Sequence, residues 1–174
     1  MSQILFPTSK EFFLDKVPKG TVLCSTLKGI TLILFHADPE RCEHCSDLIP
    51  EFRKLPYAMP GIKFAMINLN KYKEIVDMAS KTISPISYVP YIILFVEGRP
   101  FTRYDGDRSY QDILDFLNTI LNSLKNKRDF VDNKFVKIEN ETPISLNSSQ
   151  FNVVCDTEKG VCYLAQKDAY PGLK

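Results

Sequence analysis

The sequence is unusual in what it lacks. Its 174 residues contain no tryptophan and only two histidines, and the formal net charge is +1. A charge so near zero gives no reason to expect nucleic acid or an anionic membrane as a partner. The apolar runs fall far short of the roughly 18 residues that a membrane span needs, and residues 1–17 lack the basic leader and apolar stretch of a secretory signal. We therefore expect a cytoplasmic protein without nucleic acid or membrane partners, while a virion or a secretory compartment stays open.

The length and composition set the domain organisation. Hydrophobic residues make up 44% of the chain and charged residues 25%, which is ordinary for a soluble globular protein. A chain of this length holds one full domain and an appendage. After Lys125 the sequence becomes first highly charged and then rich in Asn, Ser and Thr. We place one domain at residues 1–125 and a C-terminal extension, with a possible small β-hairpin, at residues 126–174.

Two of the five cysteines, Cys42 and Cys45, are separated by only two residues. Residues 31–37 form a nearly continuous apolar run that predicts a buried strand, and the residues after the pair are apolar at helical spacing. This order places Cys42 at the N-terminus of a helix. Unpaired N–H groups and the helix dipole favour a thiolate there, and they lower a thiol pKa from about 8.5 into the range of roughly 3.5 to 7.5.

Apolar periodicity predicts the other elements of an α/β fold. The predicted strands cover residues 4–6, 31–37, 62–69, 91–96 and 99–104. The predicted helices cover a segment through residues 12–14 that ends near Pro18, a segment from 43 to 57 kinked at Pro50, residues 71–80, and a segment from Ser109 to Leu124. The first six of these elements alternate as strand and helix, which predicts a largely parallel sheet with helices on its faces.

In this order, the motifs resemble those of the thioredoxin superfamily. Cys42 and Cys45 match the redox pair, Pro50 matches the proline five residues beyond it, and Val89-Pro90 matches the dipeptide that contains the family's cis-proline. Two further matches are the glycines of the closing hairpin and of the turn before the last helix, Gly98 and Gly106. The resemblance implies a thioredoxin-like fold, in which helices flank a mixed central sheet.

His44 makes the cysteine pair more similar to the Cys-x-His-Cys of protein disulfide isomerases than to the Cys-Gly-Pro-Cys of thioredoxin. Other positions depart from the family. Arg41 stands where a tryptophan usually precedes the first cysteine. The buried carboxylate beneath the thiols falls at Leu34, and its usual lysine partner falls at Met66. These departures bear on how the second thiol reacts and leave the fold unaffected.

The function that this resemblance implies is protein thiol–disulfide exchange, which needs a thiolate to attack a disulfide and a second thiol to resolve the product. Cys42 is expected to be the nucleophile and Cys45 the resolving thiol, with His44 stabilising the thiolate. Val89 and Pro90 are expected to bind an extended substrate peptide. The cysteine pair itself serves as the cofactor. The expected partners are protein thiols or disulfides and a redox partner that is still to be identified.

Two other classes of function were weighed. Cys42, His44 and Cys45 could hold zinc together with His36 or with the tail cysteines, but ligands crowded into one helical turn strain a tetrahedral site. We therefore expect no metal. The second alternative is a non-catalytic binding module that keeps the fold and holds a client in the groove near Pro90. A disulfide-reduction assay distinguishes it from an enzyme.

Cys155 and Cys162 form the other notable pair, because they flank a polar segment that is typical of a hairpin turn. Opposed positions in a hairpin meet the distance that a disulfide requires. Three roles stay open for them: unpaired packing residues, a structural or labile disulfide, or a second redox pair that passes electrons to Cys42 and Cys45.

Overall fold

The computed structural model describes residues 3–127, 130–131, 134–135, 151–156 and 161–166, with side chains described for residues 3–124. The strands are β1 (Ile4–Leu5), β2 (Phe12–Val17), β3 (Gly20–Ser25), β4 (Ile30–His36), β5 (Lys63–Asn68), β6 (Tyr91–Val96), β7 (Arg99–Tyr104), β8 (Phe130–Val131), β9 (Lys134–Phe135), β10 (Phe151–Asp156) and β11 (Val161–Gln166). The α-helices are α1 (Glu43–Phe52), α2 (Leu55–Ala58), α3 (Lys73–Ser80) and α4 (Tyr110–Lys127).

A five-stranded mixed sheet in the order β1-β5-β4-β6-β7 forms the centre of the fold. β1, β5 and β4 are parallel, whereas β6 and β7 are antiparallel to their neighbours. The three strands of the first six predicted elements are thus parallel, as expected, and antiparallel β6 and β7 give the mixed sheet that the resemblance implied. Every residue of β4 is buried, because this central strand is covered on both faces.

Alternate residues of β4 belong to two separate apolar cores. Leu32 and Leu34 pack in the core that includes residues of α1, α2 and α4. Ile33 and Phe35 pack in the other core, with residues of α3 and of β2 and β3. Two-sided burial of this strand explains its continuous apolar sequence.

The helix predicted through residues 12–14 was wrong, since β2 and β3 form an antiparallel hairpin there. Thr8 does cap a helical turn, but only the 3-10 turn Ser9–Glu11, through a capping box with Glu11. Phe12 is buried while Phe13 is 45% exposed, which is the two-residue period of a strand. The segment read as a helix stop is instead the hairpin turn, in which Val17 pairs with Gly20.

The helix predicted over residues 43–57 is divided in two. Pro50 lies inside α1, and α1 continues past it to Phe52. The break comes where Pro56 occupies the first turn of α2. A continuous helix would need an N–H of residue 56 to bond the Phe52 carbonyl, and proline has none. The break therefore follows from Pro56, which the sequence interpretation had overlooked.

Gly98 occupies the tight turn between β6 and β7, where a substitution is expected to lower the stability of the fold. Its φ is +81°, and its carbonyl accepts a hydrogen bond of 2.7 Å from the Ser25 N–H. A Cβ at Gly98 would lie 2.0 Å from the Ser25 carbonyl oxygen. Gly98→Ala is expected to destabilise the fold by about 3 kcal/mol or more, because a left-handed backbone and a backbone collision add together.

Gly29 is the matched control for this prediction. It has the same φ of +81°, yet no described atom lies within 4 Å of the Cβ it would gain. Gly29→Ala should therefore show only the left-handed penalty of about 1–2 kcal/mol. Urea unfolding of both variants measures the difference, and equal losses would contradict a steric role for the Ser25 contact.

Candidate functional site

The cysteine pair stands at the start of α1, as the sequence predicts. Cys42 is the N-cap residue, and its Sγ accepts a hydrogen bond of 3.1 Å from the Cys45 N–H. The two sulfurs form a disulfide, with Cα atoms 5.1 Å apart. Cys42 is half-buried, whereas the exposure of Cys45 is 0%. A thiolate arriving from solvent therefore has access to the Cys42 sulfur and not to the Cys45 sulfur.

The loop that leads to Cys42 is hydrogen-bonded to residues at the end of β5. The Asn68 amide donates a hydrogen bond of 2.7 Å to the Asp38 carboxylate, and the Asn70 side-chain oxygen accepts one of 2.8 Å from the Asp38 N–H. Parallel β4 and β5 end at the same edge of the sheet, with His36 opposite Asn68. The sequence interpretation missed both asparagines, of which Asn68 is the last residue of β5 and Asn70 lies two residues further on, although Asn at the end of a strand is a common turn residue.

The two histidines occupy different environments. His44 is exposed on the first turn of α1, one residue before Cys45. His36 is 9% exposed, and its Nδ1 lies 2.9 Å from the Ala37 carbonyl oxygen. Among the side chains that the structure describes, no three His, Cys, Asp or Glu residues are grouped to hold a metal ion. The role of His44 in stabilising a thiolate stays a prediction.

The Val89–Pro90 peptide bond is cis. Pro90 is buried and Val89 is half-buried. Because Phe35 is the register partner of Tyr91, the dipeptide lies at the same end of the sheet as the loop that leads to Cys42. The fold thus brings two segments almost fifty positions apart to one edge of the sheet. Peptide binding by Val89 and Pro90 stays a prediction.

A cleft of about 280 Å³ opens beside the dipeptide. Its walls come from the first residue after β4, from the end of β5, from α3 and from residues 86–89. Most of the lining is apolar, and Lys73 and Asn70 supply polar groups. The cleft therefore joins both segments of the site, since Ala37 and Val89 each line it.

The two positions at which the resemblance places the family's buried acid and its lysine partner are apolar and buried. Leu34 and Met66 are register partners on β4 and β5, and they are 0% and 3% exposed. The buried polar or charged side chains of the described residues are Ser25, Thr31, His36, Ser84, Thr102 and Arg103, so none of them is a carboxylate. That Cys45 lacks a buried acid to take its proton stays a prediction.

Cys24 is a packed thiol on β3. It is 1% exposed, and burial raises the pKa of its thiol to about 11. A thiol with this pKa stays protonated at neutral pH and does not act as a nucleophile. Cys24 therefore serves as an internal reference for the reactivity of the other cysteines.

The predicted tail hairpin is confirmed by β10 and β11, which pair antiparallel with Cys155 opposite Cys162. The side chains of both cysteines, residues 157–160 between the two strands and the Asn-, Ser- and Thr-rich segment lie outside the described residues. The division of the chain near residue 125 stays a prediction, as does the role of the two cysteines.

A double substitution tests whether the tail cysteines relay electrons. Cys155→Ser with Cys162→Ser is expected to leave disulfide turnover unchanged, because Cys42 and Cys45 supply both thiols that exchange needs. Rates with glutathione disulfide and with insulin measure the effect, and deletion of residues 140–174 serves as a second variant. A selective loss with insulin in both variants would identify the tail as a relay or a docking element.

A mixed sheet, a Cys-x-x-Cys disulfide at a helix N-cap and a cis-proline before the adjacent strand define a thioredoxin-fold domain. The family model described as Thioredoxin matches residues 19–119. This match covers more than half of the chain, so the chain belongs to the thioredoxin family.

Two viral proteins are similar over most of the chain. Uncharacterized protein 196R of Invertebrate iridescent virus 6 is 26% identical, and the match covers 99% of this chain and 96% of that protein. Uncharacterized protein 020R of Invertebrate iridescent virus 3 is also 26% identical, over 85% of this chain and 84% of the other. Both are similar in length as well as in sequence, and neither has an assigned activity.

One solved structure shows the same fold, and a second is similar with a lower TM-score. The zinc-bound form of human ERp44 is 20% identical with a TM-score of 0.51, and the match covers 67% of this chain. The chain spans about a third of ERp44, since the match covers 32% of that chain. The J-Trx1 fragment of ERdj5 is 20% identical with a TM-score of 0.46, over 54% of this chain and 44% of the fragment. At these identities the likeness concerns the fold alone.

In the part of the chain that the structure describes, no helix is both long and apolar enough to cross a membrane.

Proposed function

We propose that this protein is a protein thiol–disulfide oxidoreductase that reduces, forms or isomerises protein disulfides through the Cys42–Cys45 couple. The observation that carries this proposal is the disulfide at the start of α1, in which Cys42 is half-buried and Cys45 is fully buried. This asymmetry gives the two cysteines different tasks. No further cofactor is needed, since the couple itself accepts and releases two electrons.

In the reductive direction, the Cys42 thiolate attacks a client disulfide and releases one client thiolate, which takes up a proton. The Cys45 thiolate then attacks the Cys42 sulfur, which releases the second client thiol and restores the Cys42–Cys45 disulfide. Two electrons and two protons thus pass from the protein to the client. Formation of a client disulfide is the reverse of this sequence.

The N-terminus of α1 favours the Cys42 thiolate. The Cys45 N–H points at the Cys42 sulfur, and the helix dipole adds positive potential at the same place. Arg41 precedes Cys42, and His44 lies on the first turn of α1, so protonated His44 would strengthen this potential. Each of these groups stabilises the reduced form relative to the disulfide and makes the couple more oxidising.

The client side of the site is the cis-proline segment. We assign to the Val89 backbone a strand-like hydrogen-bonding role toward an extended client, because Val89 is half-buried at the sheet edge nearest the disulfide. A protein donor or acceptor of electrons completes the cycle. We place the protein in the cytoplasm.

One observation favours a second function, that of a non-catalytic binding module. Leu34 and Met66 leave Cys45 without a buried acid to take its proton, which slows resolution of a mixed disulfide. A protein that resolves slowly retains its client instead of turning it over.

Reduction of insulin by dithiothreitol separates the two functions, with turbidity as the readout. The oxidoreductase accelerates precipitation of the insulin chains, and the variant with both Cys42 and Cys45 changed to Ser does not. If the wild type and the double Ser variant show equal lag times before insulin precipitates, the protein is a binding module and not an oxidoreductase. Equilibration of the active protein with glutathione then places its potential within the span of about −270 to −120 mV, where the low end means a reductase and the high end an oxidant.

A further inference from the structure

Arg103, on β7, is a charged residue that lies almost entirely inside the protein, with 1% of its surface exposed. Its guanidinium packs against two aromatic rings, with the central carbon 5.2 Å from the Tyr88 centroid and 5.1 Å from the Tyr91 centroid. The two rings also contact each other edge to face, with centroids 5.3 Å apart. One nitrogen donates a hydrogen bond to the Tyr88 hydroxyl. Another is 2.9 Å from the Asp105 carboxylate. A single side chain therefore holds both tyrosines.

A β-bulge brings Arg103 to this position. The register of β6 and β7 shifts between Leu94 and Phe95, so that Phe101 faces the core of α1 and α4. Arg103 is the register partner of Ile93, which belongs to the opposite core. Without the bulge, the two-residue period of a strand would put Phe101 and Arg103 on the same face.

The two tyrosines flank the cis dipeptide in sequence. Tyr88 directly precedes Val89, and Tyr91 directly follows Pro90 as the first residue of β6. Tyr88 and Val89 both line the cleft that also reaches Ala37 at the start of the loop to Cys42. Whatever fixes the Tyr88 ring therefore fixes one wall of the cleft and the backbone to which Val89 belongs.

Stability alone does not require a charge at this position. A buried guanidinium loses its hydration, and replacing a buried ion pair by an apolar residue of similar size is often neutral or stabilising. Methionine would fill the space beside the two rings about as well. What only arginine supplies is a cation that contacts both rings while it donates hydrogen bonds in fixed directions. The contribution of Arg103 is therefore to fix the positions of the two tyrosine side chains.

We propose that Arg103 is a positioning residue for client recognition, which keeps Tyr88 and the Val89 backbone in the arrangement that receives an extended protein segment. The client class is a cysteine in an extended segment with an apolar side chain nearby, since the cleft lining is mostly apolar. Small disulfides reach Cys42 without using the cleft. This inference rests on the proposed function and adds the basis on which protein clients are distinguished from small thiols.

The test compares two substrates across three variants. Arg103→Met keeps the volume, Arg103→Lys keeps the charge, and Tyr88→Phe keeps the ring but removes the hydroxyl that accepts from Arg103. All three variants are expected to raise KM for insulin about tenfold, which corresponds to a tenfold loss of affinity. The value of kcat should change little. Turnover of glutathione disulfide should change by less than twofold.

Arg99→Met is the matched control, because Arg99 lies on the same strand and pairs with Asp15 at 2.5 Å. It loses an ion pair of its own and should leave both substrates unaffected. Equal losses with both substrates in Tyr88→Phe would overturn the inference, and so would an unchanged KM for insulin. If Arg103→Met fails to fold by thermal melting, Tyr88→Phe decides. A wild-type protein inactive on both substrates rejects the proposed function itself and this inference with it.

Discussion

Cys42→Ser is expected to reduce thiol–disulfide exchange to the uncatalysed background, whereas Cys45→Ser is expected to accumulate stable mixed disulfides. The reason is the difference in access between the two sulfurs, since Cys42 is half-buried and Cys45 is fully buried. Attack on a client survives in Cys45→Ser because the Cys42 thiolate and its N–H donor are still present. Release fails because the second sulfur is missing.

Non-reducing electrophoresis of Cys45→Ser with insulin measures this prediction, since trapped client migrates as a larger species that dithiothreitol releases. Alkylation of the reduced wild type by iodoacetamide at mildly acid pH gives an independent measure. Cys42 should be modified first. Cys24 should stay unmodified, because burial holds the pKa of its thiol at about 11. Preferential modification of Cys45 would falsify the assignment of the nucleophile.

Leu34→Glu is expected to speed the release of mixed disulfides near neutral pH by about tenfold or more, because a positioned general base contributes typically 10²–10⁴-fold. Leu34 is 0% exposed on β4, and none of the buried residues that the structure describes is a carboxylate. Burial raises the pKa of an introduced carboxyl towards neutrality, where it can accept the proton of the Cys45 thiol. The variant loses stability, since a buried polar group without a partner costs several kcal/mol.

Two controls separate proton transfer from the disturbance of the core. Leu34→Gln introduces a side chain of the same shape that cannot take a proton. Leu32→Glu buries the same acid in the same apolar core, two residues further from the sheet edge at which the disulfide lies. Neither should speed release. Stopped-flow kinetics that show Leu34→Glu no faster than Leu34→Gln would mean that another group or a water chain already moves the proton.

The central strands around the site could be predicted because β4 and β6 are continuous apolar runs bounded by turn residues. Residues 91–96 and 99–104 were assigned to strands with the bounds that β6 and β7 have. The hairpin of β2 and β3 was missed, because a capping residue before Phe12-Phe13-Leu14 is also the start signal of a helix. The burial of Phe12 in the core favours a strand at this position, and the local sequence does not reveal that burial.

The positions of the two cysteines and of the apolar pair beneath them were also predictable, because spacing and family resemblance place them directly. Arg103 was not, since its burial depends on a bulge that shifts β7 by one residue. An arginine in a strand of mixed polarity is ordinarily an exposed residue. Asn68 and Asn70 were missed for a related reason, because their partner Asp38 lies some thirty positions away in the chain.

The N-cap role of Cys42 couples electron transfer to folding. Its sulfur accepts the Cys45 N–H at the start of α1, and this contact is lost when the chain unfolds. The protein can be oxidised or reduced, and each of these forms can be folded or unfolded. These four states form a thermodynamic cycle. Any free energy by which the folded protein favours its thiolate must therefore appear as greater resistance of the reduced form to denaturant. A difference of 30 mV between the folded and unfolded couples corresponds to about 1.4 kcal/mol. Two urea titrations, one with each redox form, thus read out how strongly the fold shifts the potential of its disulfide.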